Sequence, residues 1–121
     1  MHESAKIVHR DLKLDNCFVD KCMIVKIGDF GTCKLLDEET TMLKSKVGTD
    51  IYMAPEIFTS QPYEGPPVDI YSLGVILFTL LNAQFPYTRA GDKNHVRFLS
   101  NPVEILKKRG LKMEDEAISL L

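Results

Sequence analysis

The stretch Ile7–Asn16, IVHRDLKLDN, packs His9, Arg10, Asp11, Lys13, Asp15 and Asn16 into eight residues behind a β-branched apolar pair. Asp29 follows Asn16 by thirteen residues, inside GDFG. Between them, Phe18-Val19 and Met23 to Ile27 read as two short strands around a turn at Asp20-Lys21. A hairpin of that length brings its two ends together, so Asp11, Asn16 and Asp29 can converge. Carboxylate and amide oxygens around one gap suit a hard cation such as Mg²⁺. Lys13, two residues after Asp11, can neutralise a phosphoryl group in transfer. The chemistry these types support is metal-assisted phosphoryl transfer, with one carboxylate left to act as base. Taken singly, each residue has an ordinary role: Asp and Asn close turns onto their own backbone, and Arg beside Asp is most often a surface pair of little worth. Their order in one loop is what points to a site.

The elements that must hold this loop are readable in outline. Met1 to Lys6 is polar and suits the end of a helix or a loop. Gly28 to Gly31 breaks the strand pattern with two glycines around an acid. Lys34 to Asp50 has no clear period and reads as a long loop carrying Thr40, Thr41, Ser45 and Thr49, and long ordered loops are usually functional. Pro55 suits the first position of a short helix, and Pro66-Pro67 closes the next loop. A buried central helix is expected over about 68–82, apolar on all sides. Three further helical pieces are expected near 93–99, 102–109 and 114–121, with Asn101 as cap and Pro102 in the first turn of the second.

Hydrophobic residues make up 45 % and charged residues 26 % of the 121, which fits a globular domain rather than a disordered chain. The net charge of −2 gives no electrostatic reason to expect a nucleic acid or an anionic membrane as partner. The longest apolar run, Ile70 to Leu81, is too short to cross a bilayer. Three cysteines, Cys17, Cys22 and Cys33, suggest free thiols in a reducing compartment, so the cytoplasm is expected, with the nucleus as the alternative. Cys17 and Cys22 lack a second ligand pair for zinc and read as small apolar strand residues. The basic run Lys107, Lys108, Arg109 and Lys112 reads as a solvated helix face, with a calmodulin-type target helix as its alternative.

On these residues the chain resembles the C-terminal lobe of a eukaryotic serine/threonine protein kinase. His9-Arg10-Asp11-Leu12 with Asn16 is similar to the catalytic loop, Asp29-Phe30-Gly31 to the D-F-G motif and Ala54-Pro55-Glu56 to A-P-E. Asp69-Ile70-Tyr71-Ser72-Leu73-Gly74 resembles the start of the family's central helix, with Tyr71 where tryptophan is usual. The resemblance implies an α+β, mainly helical lobe, incomplete, with a short β-hairpin beside the catalytic loop. It divides residues 1–121 into a catalytic loop at 9–16, an activation segment at 29–56 and the central helix. It implies ATP and Mg²⁺ as cofactors, a protein substrate, an upstream activating kinase, and no nucleic acid or membrane partner. Asp11 would take or orient the proton of the substrate hydroxyl, Asn16 and Asp29 would hold Mg²⁺, and Phe18 would lie under the adenine. Thr49 would bond Asp11 and Lys13. His9 and Phe30 would stack in the spine that couples two lobes. Arg10 would pair with a phosphate on Ser45, for which Thr40, Thr41 and Thr49 are rivals. The stretch from Tyr63 to Phe78 is weakly similar to the calcium/calmodulin-dependent and energy-sensing group.

The resemblance also implies a glycine-rich loop and a V-A-I-K lysine ahead of the catalytic loop, and neither lies among the residues before His9. Met1 would fall inside the helix that precedes the loop. Glu56 would lack the arginine that pairs with it in the family. The expectation is that this fragment alone folds poorly and transfers no phosphate. The alternative function is a non-catalytic, kinase-like interaction module.

Overall fold

A computed structural model describes residues 2–37, 42–59, 61–89, 91 and 93–110. A single helical turn, α1 (His2–Ala5), leads into β1 (Ile7–Val8). The polar loop follows and closes in a 3-10 turn at Leu14–Asn16. β2 (Cys17–Val19) and β3 (Val25–Ile27) then form an antiparallel hairpin in the register Cys17↔Ile27 and Val19↔Val25. Its turn is built by Asp20, whose Oδ1 accepts the N–H groups of Cys22 (2.9 Å) and Ile24 (3.0 Å). Met23 sits there in the left-handed region with φ 60°.

The segment expected to be a long loop contains two short strands. β4 (Lys34–Leu35) pairs antiparallel with β1, and β5 (Met42–Leu43) pairs with β6 (Tyr63–Glu64). Each is two residues long and owes its geometry to a distant partner, so no local periodicity announces it. Pro55 opens a 3-10 turn, Pro55–Phe58, rather than an α-helix.

The central helix α2 (Gly65–Asn82) starts three residues earlier than expected. Pro66 and Pro67 do not end the preceding loop. They occupy the first helical turn, where the missing N–H groups have no intrahelical acceptor to lose. Gly65 lies against β1 so closely that a Cβ there would stand 2.5 Å from Val8 Cγ2. The helix stops at Ala83, which turns left-handed at φ 52°. α3 (Lys93–Ser100) and α4 (Pro102–Lys108) follow, and Asn101 caps α4 by accepting the Glu104 N–H at 3.0 Å. The expected helix at 114–121 and Lys112 lie outside the described residues.

The expectation that α2 is buried on all sides is corrected. Val68, Asp69, Ser72, Val75, Ile76 and Phe78 are buried, while Ile70, Leu73, Leu80 and Leu81 are exposed. By length and composition α2 would suffice to cross a membrane. Its wholly buried, hydrogen-bonded Asp69 marks it instead as a core helix. Two apolar clusters share it. One gathers Leu12, Tyr52, Val75, Phe78, Tyr87 and Phe98; the other gathers Val8, Leu43, Met53, Ile57, Tyr63 and Val68. The first anchors the polar loop through Leu12, and the second anchors β1 through Val8. The loop is therefore fixed by burial at its start and its middle, while the β2–β3 hairpin projects with Phe18, Val19 and Val25 exposed.

Candidate functional site

Asp69 is the hub. It has no solvent exposure, and its carboxylate accepts the backbone N–H of His9 on Oδ2 and of Arg10 on Oδ1, both at 2.8 Å. His2 Nε2 donates to the same Oδ2 at 2.7 Å. A buried carboxylate is tolerated when its oxygens are satisfied in this way. The peptide it holds is strained, because Arg10 has φ 68°. Gly48 closes over that peptide at φ 113°, and a Cβ there would lie 2.4 Å from the Arg10 carbonyl oxygen. Two distant segments, α2 and the Gly48 turn, thus impose a backbone that the loop would not adopt by itself.

Held so, the loop presents a closed polar triangle. Thr49 Oγ1 donates to Asp11 Oδ1 at 2.7 Å, Lys13 Nζ lies 3.0 Å from Asp11 Oδ2, and Lys13 Nζ donates to Thr49 Oγ1 at 2.9 Å. The hydrogen bond to Asp11 raises the Lys13 pKa above the ordinary lysine value, against the opposing effect of burial. Asn16 is buried, and its Nδ2 donates to the Asp11 carbonyl at 2.9 Å, which leaves Oδ1 as its remaining acceptor.

The hairpin brings its ends together, with the Gly28 N–H donating to the Asn16 carbonyl at 2.9 Å. His9 locks the same corner. Its Nε2 donates to the Gly28 carbonyl at 3.0 Å, and its Nδ1 accepts the Asp11 N–H at 3.3 Å. The Phe30 ring packs against His9 with centroids 5.3 Å apart. Asp29 itself is exposed and left-handed at φ 57°, one of its oxygens accepting the Gly31 N–H at 3.3 Å. A Cβ at Gly31 would come within 3.2 Å of that oxygen. Phe18 is exposed on the hairpin, its ring against Gly28, where a Cβ would lie 2.7 Å from Phe18 Cε2.

The residues present fit a hard divalent cation. The Asn16 amide oxygen and the Asp29 carboxylate stand at the two ends of one hairpin, and both are oxygen donors. Among the described residues no three His, Cys, Asp or Glu side chains gather to hold an ion unaided. An ion that arrives with phosphate oxygens needs only one or two carboxylates from the protein.

Arg10 faces the other way. Its Nε donates to the Thr32 carbonyl at 2.7 Å and its Nη1 to Ser45 Oγ at 2.9 Å. A cavity of about 600 Å³ opens there, lined by Arg10, Lys34, Met42, Leu43, Lys44 and Ser45. Its three cations face no carboxylate in the lining. Tyr63 fixes Ser45 by donating its hydroxyl to the Ser45 carbonyl at 2.7 Å. Thr40 and Thr41 lie outside the described residues. Glu56 is half-buried rather than enclosed, and its carboxylate forms no ion pair among the described residues.

Sequence reasoning missed His2, Thr32, Lys34 and Lys44. His2 lies 67 residues from Asp69, and nothing in its neighbourhood signals that contact. Lys34 and Lys44 enter through β4 and β5, which carry no periodic signal. A second basic side chain near Ser45 was the clue available for Lys44.

The chain matches the protein kinase domain family over residues 1–121. It is 38 % identical over 110 residues to NUAK family SNF1-like kinase 1 of Mus musculus, covering 87 % of this chain and 17 % of that protein. It is 39 % identical over 103 residues to the carbon catabolite-derepressing protein kinase of Saccharomyces cerevisiae, covering 85 % and 16 %. It is 46 % identical over 81 residues to the serine/threonine-protein kinase ppk16 of Schizosaccharomyces pombe, covering 66 % and 12 %. The chain spans about a sixth of the length of the first two relatives.

Proposed function

The chain belongs to the protein kinase domain family, and from that premise we propose that it forms the C-terminal lobe of a serine/threonine protein kinase. The complete protein then transfers the γ-phosphoryl group of ATP to a serine or threonine hydroxyl of a protein substrate. The observation that carries this is the triangle of Asp11, Lys13 and Thr49, a carboxylate and a cation bridged by one hydroxyl.

In this proposal Asp11 orients the substrate hydroxyl and takes its proton as the new O–P bond forms. Lys13 faces the equatorial oxygens of the transferring group. The bond from the γ-phosphorus to its bridging oxygen breaks and leaves ADP. Asn16 Oδ1 and the Asp29 carboxylate would hold Mg²⁺, which when bound would neutralise phosphate charge. Thr49 keeps the Asp11 and Lys13 side chains in register. Phe18 lies beneath the adenine. His9 and Phe30 link this lobe to the nucleotide-binding one.

Ser45 is proposed as the activating phosphosite for an upstream kinase. A phosphate on its Oγ would enter the cavity where Arg10, Lys34 and Lys44 converge, and would replace a bond from the Arg10 guanidinium to a neutral hydroxyl by bonds between cations and an anion. Ser45→Ala in the full-length protein should then lower activity, and full activity of that variant would refute the assignment.

The test of the function is Mg²⁺-dependent transfer from labelled ATP to a serine peptide by the full-length protein. Asp11→Asn should reduce the rate by about 10²–10⁴, the range for a positioned base. Undiminished transfer in that variant would remove Asp11 from the mechanism. Absence of transfer in the native protein, with a partner retained in its place, would favour the interaction module.

A further inference from the structure

Beyond the triangle, a groove of about 440 Å³ runs between Ile51, Gln84, Phe85, Tyr87, Thr88 and Arg109. It begins two residues from Thr49. Tyr52 couples the two places: its N–H bonds the Thr49 carbonyl at 2.9 Å, and its ring meets Phe85 edge-on at 5.5 Å. The wall is apolar at Ile51 and Phe85, and polar at Gln84 and Thr88. Arg109 is exposed just past the end of α4, as part of the basic run expected to be solvated. It donates one guanidinium N–H to the Phe85 carbonyl at 3.0 Å, which pins the cation beside the groove. The neighbouring Lys108 is engaged by Glu104, whereas Arg109 has no carboxylate within ion-pair distance among the described residues. The fork keeps donors to spare.

We propose that this groove holds an extended segment of the protein substrate that carries an apolar side chain next to an acidic one. The apolar side chain lies on Ile51 and Phe85, and the carboxylate pairs with Arg109. Continuity with Thr49 selects a segment of the same polypeptide that presents its hydroxyl to Asp11. Charge complementarity selects the acid. A nucleic acid would need a stripe of cations, and this groove offers one. The inference rests on the kinase assignment for the identity of the occupant, but its binding geometry is testable without turnover.

The experiment uses the full-length protein and fluorescein-labelled peptides of about 15 residues, long enough at ~3.3 Å per residue to cross both places. Each peptide has one central serine, and a Leu-Glu pair is walked along it. A second set carries Leu-Lys at the same positions. Binding is read by fluorescence polarisation, and phosphate transfer is measured in parallel. One placement of Leu-Glu should bind about 2–30-fold tighter than its Leu-Lys counterpart, the range for one exposed ion pair gained and one like-charge contact avoided. Arg109→Glu should invert that preference, and Arg109→Lys should retain part of it. A short serine peptide without the pair should bind all three proteins equally, which shows that the variants are folded. Equal binding of both sets to the native protein, or a preference indifferent to Arg109→Glu, would overturn the proposal. Selective binding with no transfer would leave the groove standing and count against the catalytic reading alone.

Discussion

Asp69→Asn is the substitution that most directly tests how the fold builds the site. The carboxylate accepts three donors, two of them backbone N–H groups of the strained peptide at His9 and Arg10. An asparagine keeps one acceptor oxygen and turns an NH₂ group toward a donor. At least one charge-assisted bond, about 1.5–3 kcal/mol, is lost, and the donor left buried costs about 1–3 kcal/mol more. The sum, about 2.5–6 kcal/mol, brackets the ~3–5 kcal/mol that breaking a buried charge arrangement costs. The strain at Arg10 adds to the tendency to open, which this clamp opposes together with the Gly48 turn and Thr32, whose Oγ1 donates to the His9 carbonyl at 2.9 Å. Hydrogen exchange at the His9 and Arg10 amides reads the clamp locally. Protection there should fall by about 10²–10⁴, at 1.4 kcal/mol per decade, with phosphate transfer falling alongside. His2→Gln, which keeps a donor, should change protection by less than about tenfold, as the loss of one partially replaced bond implies. Full protection of both amides in Asp69→Asn would show that other contacts hold the loop and would refute the hub.

Gly48→Ala should abolish transfer and destabilise by more than about 2 kcal/mol, because its Cβ would meet the Arg10 carbonyl at 2.4 Å in a left-handed backbone; Gly74→Ala, inside α2 with nothing within 4 Å, should instead stabilise by about 0.5–1 kcal/mol. Thermal denaturation of both variants checks the contrast. Lys13 has its pKa raised by Asp11, so its contribution is fully present below the unfolded lysine value of 10.5. It should disappear as pH rises above that value through the folded one, and a Lys13→Met variant should show no such loss in melts between pH 9 and about 12. Burial pushes the Cys17 and Cys33 thiols up, and Cys22 is exposed. Alkylation near neutral pH followed by mass spectrometry should therefore modify Cys22 first.

The residues of the candidate site could be picked out because they are local. Asp11, Lys13 and Asn16 share one loop, and the hairpin that returns the chain to Asp29 is visible as two β-rich runs around Asp20. What holds them was less legible, because it acts at long range. Asp69 stood out only through its motif, and the three groups it binds lie 59 to 67 residues away. β4 and β5 are two-residue strands fixed by β1 and β6, so their stretch looked like loop. The start of α2 was misplaced because proline both closes loops and opens helices, and the chain context decides which. Its exposed face was misjudged because composition tells how apolar a helix is, not how much of it is covered.

Tyr71 shows how a departure from the usual pattern is absorbed. Tryptophan offers one donor, while the Tyr71 hydroxyl lies 3.0 Å from the Tyr87 hydroxyl and 2.6 Å from His95 Nε2. His95 Nδ1 accepts the Gly91 N–H at 2.7 Å, so Nε2 carries the proton and donates to Tyr71. The Tyr71 and Tyr87 hydroxyls share a further bond, in which either group can donate. Burial raises the pKa of both phenols, so the chain stays protonated and neutral. A polar chain of this kind fixes one arrangement of side chains where apolar contact alone would tolerate several. It ties α2 to α3 and to the loop that carries Phe85, the wall of the groove beside Arg109. The tyrosine thus places a hydrogen-bonded link between the helix that anchors the polar loop and the surface proposed to meet the substrate.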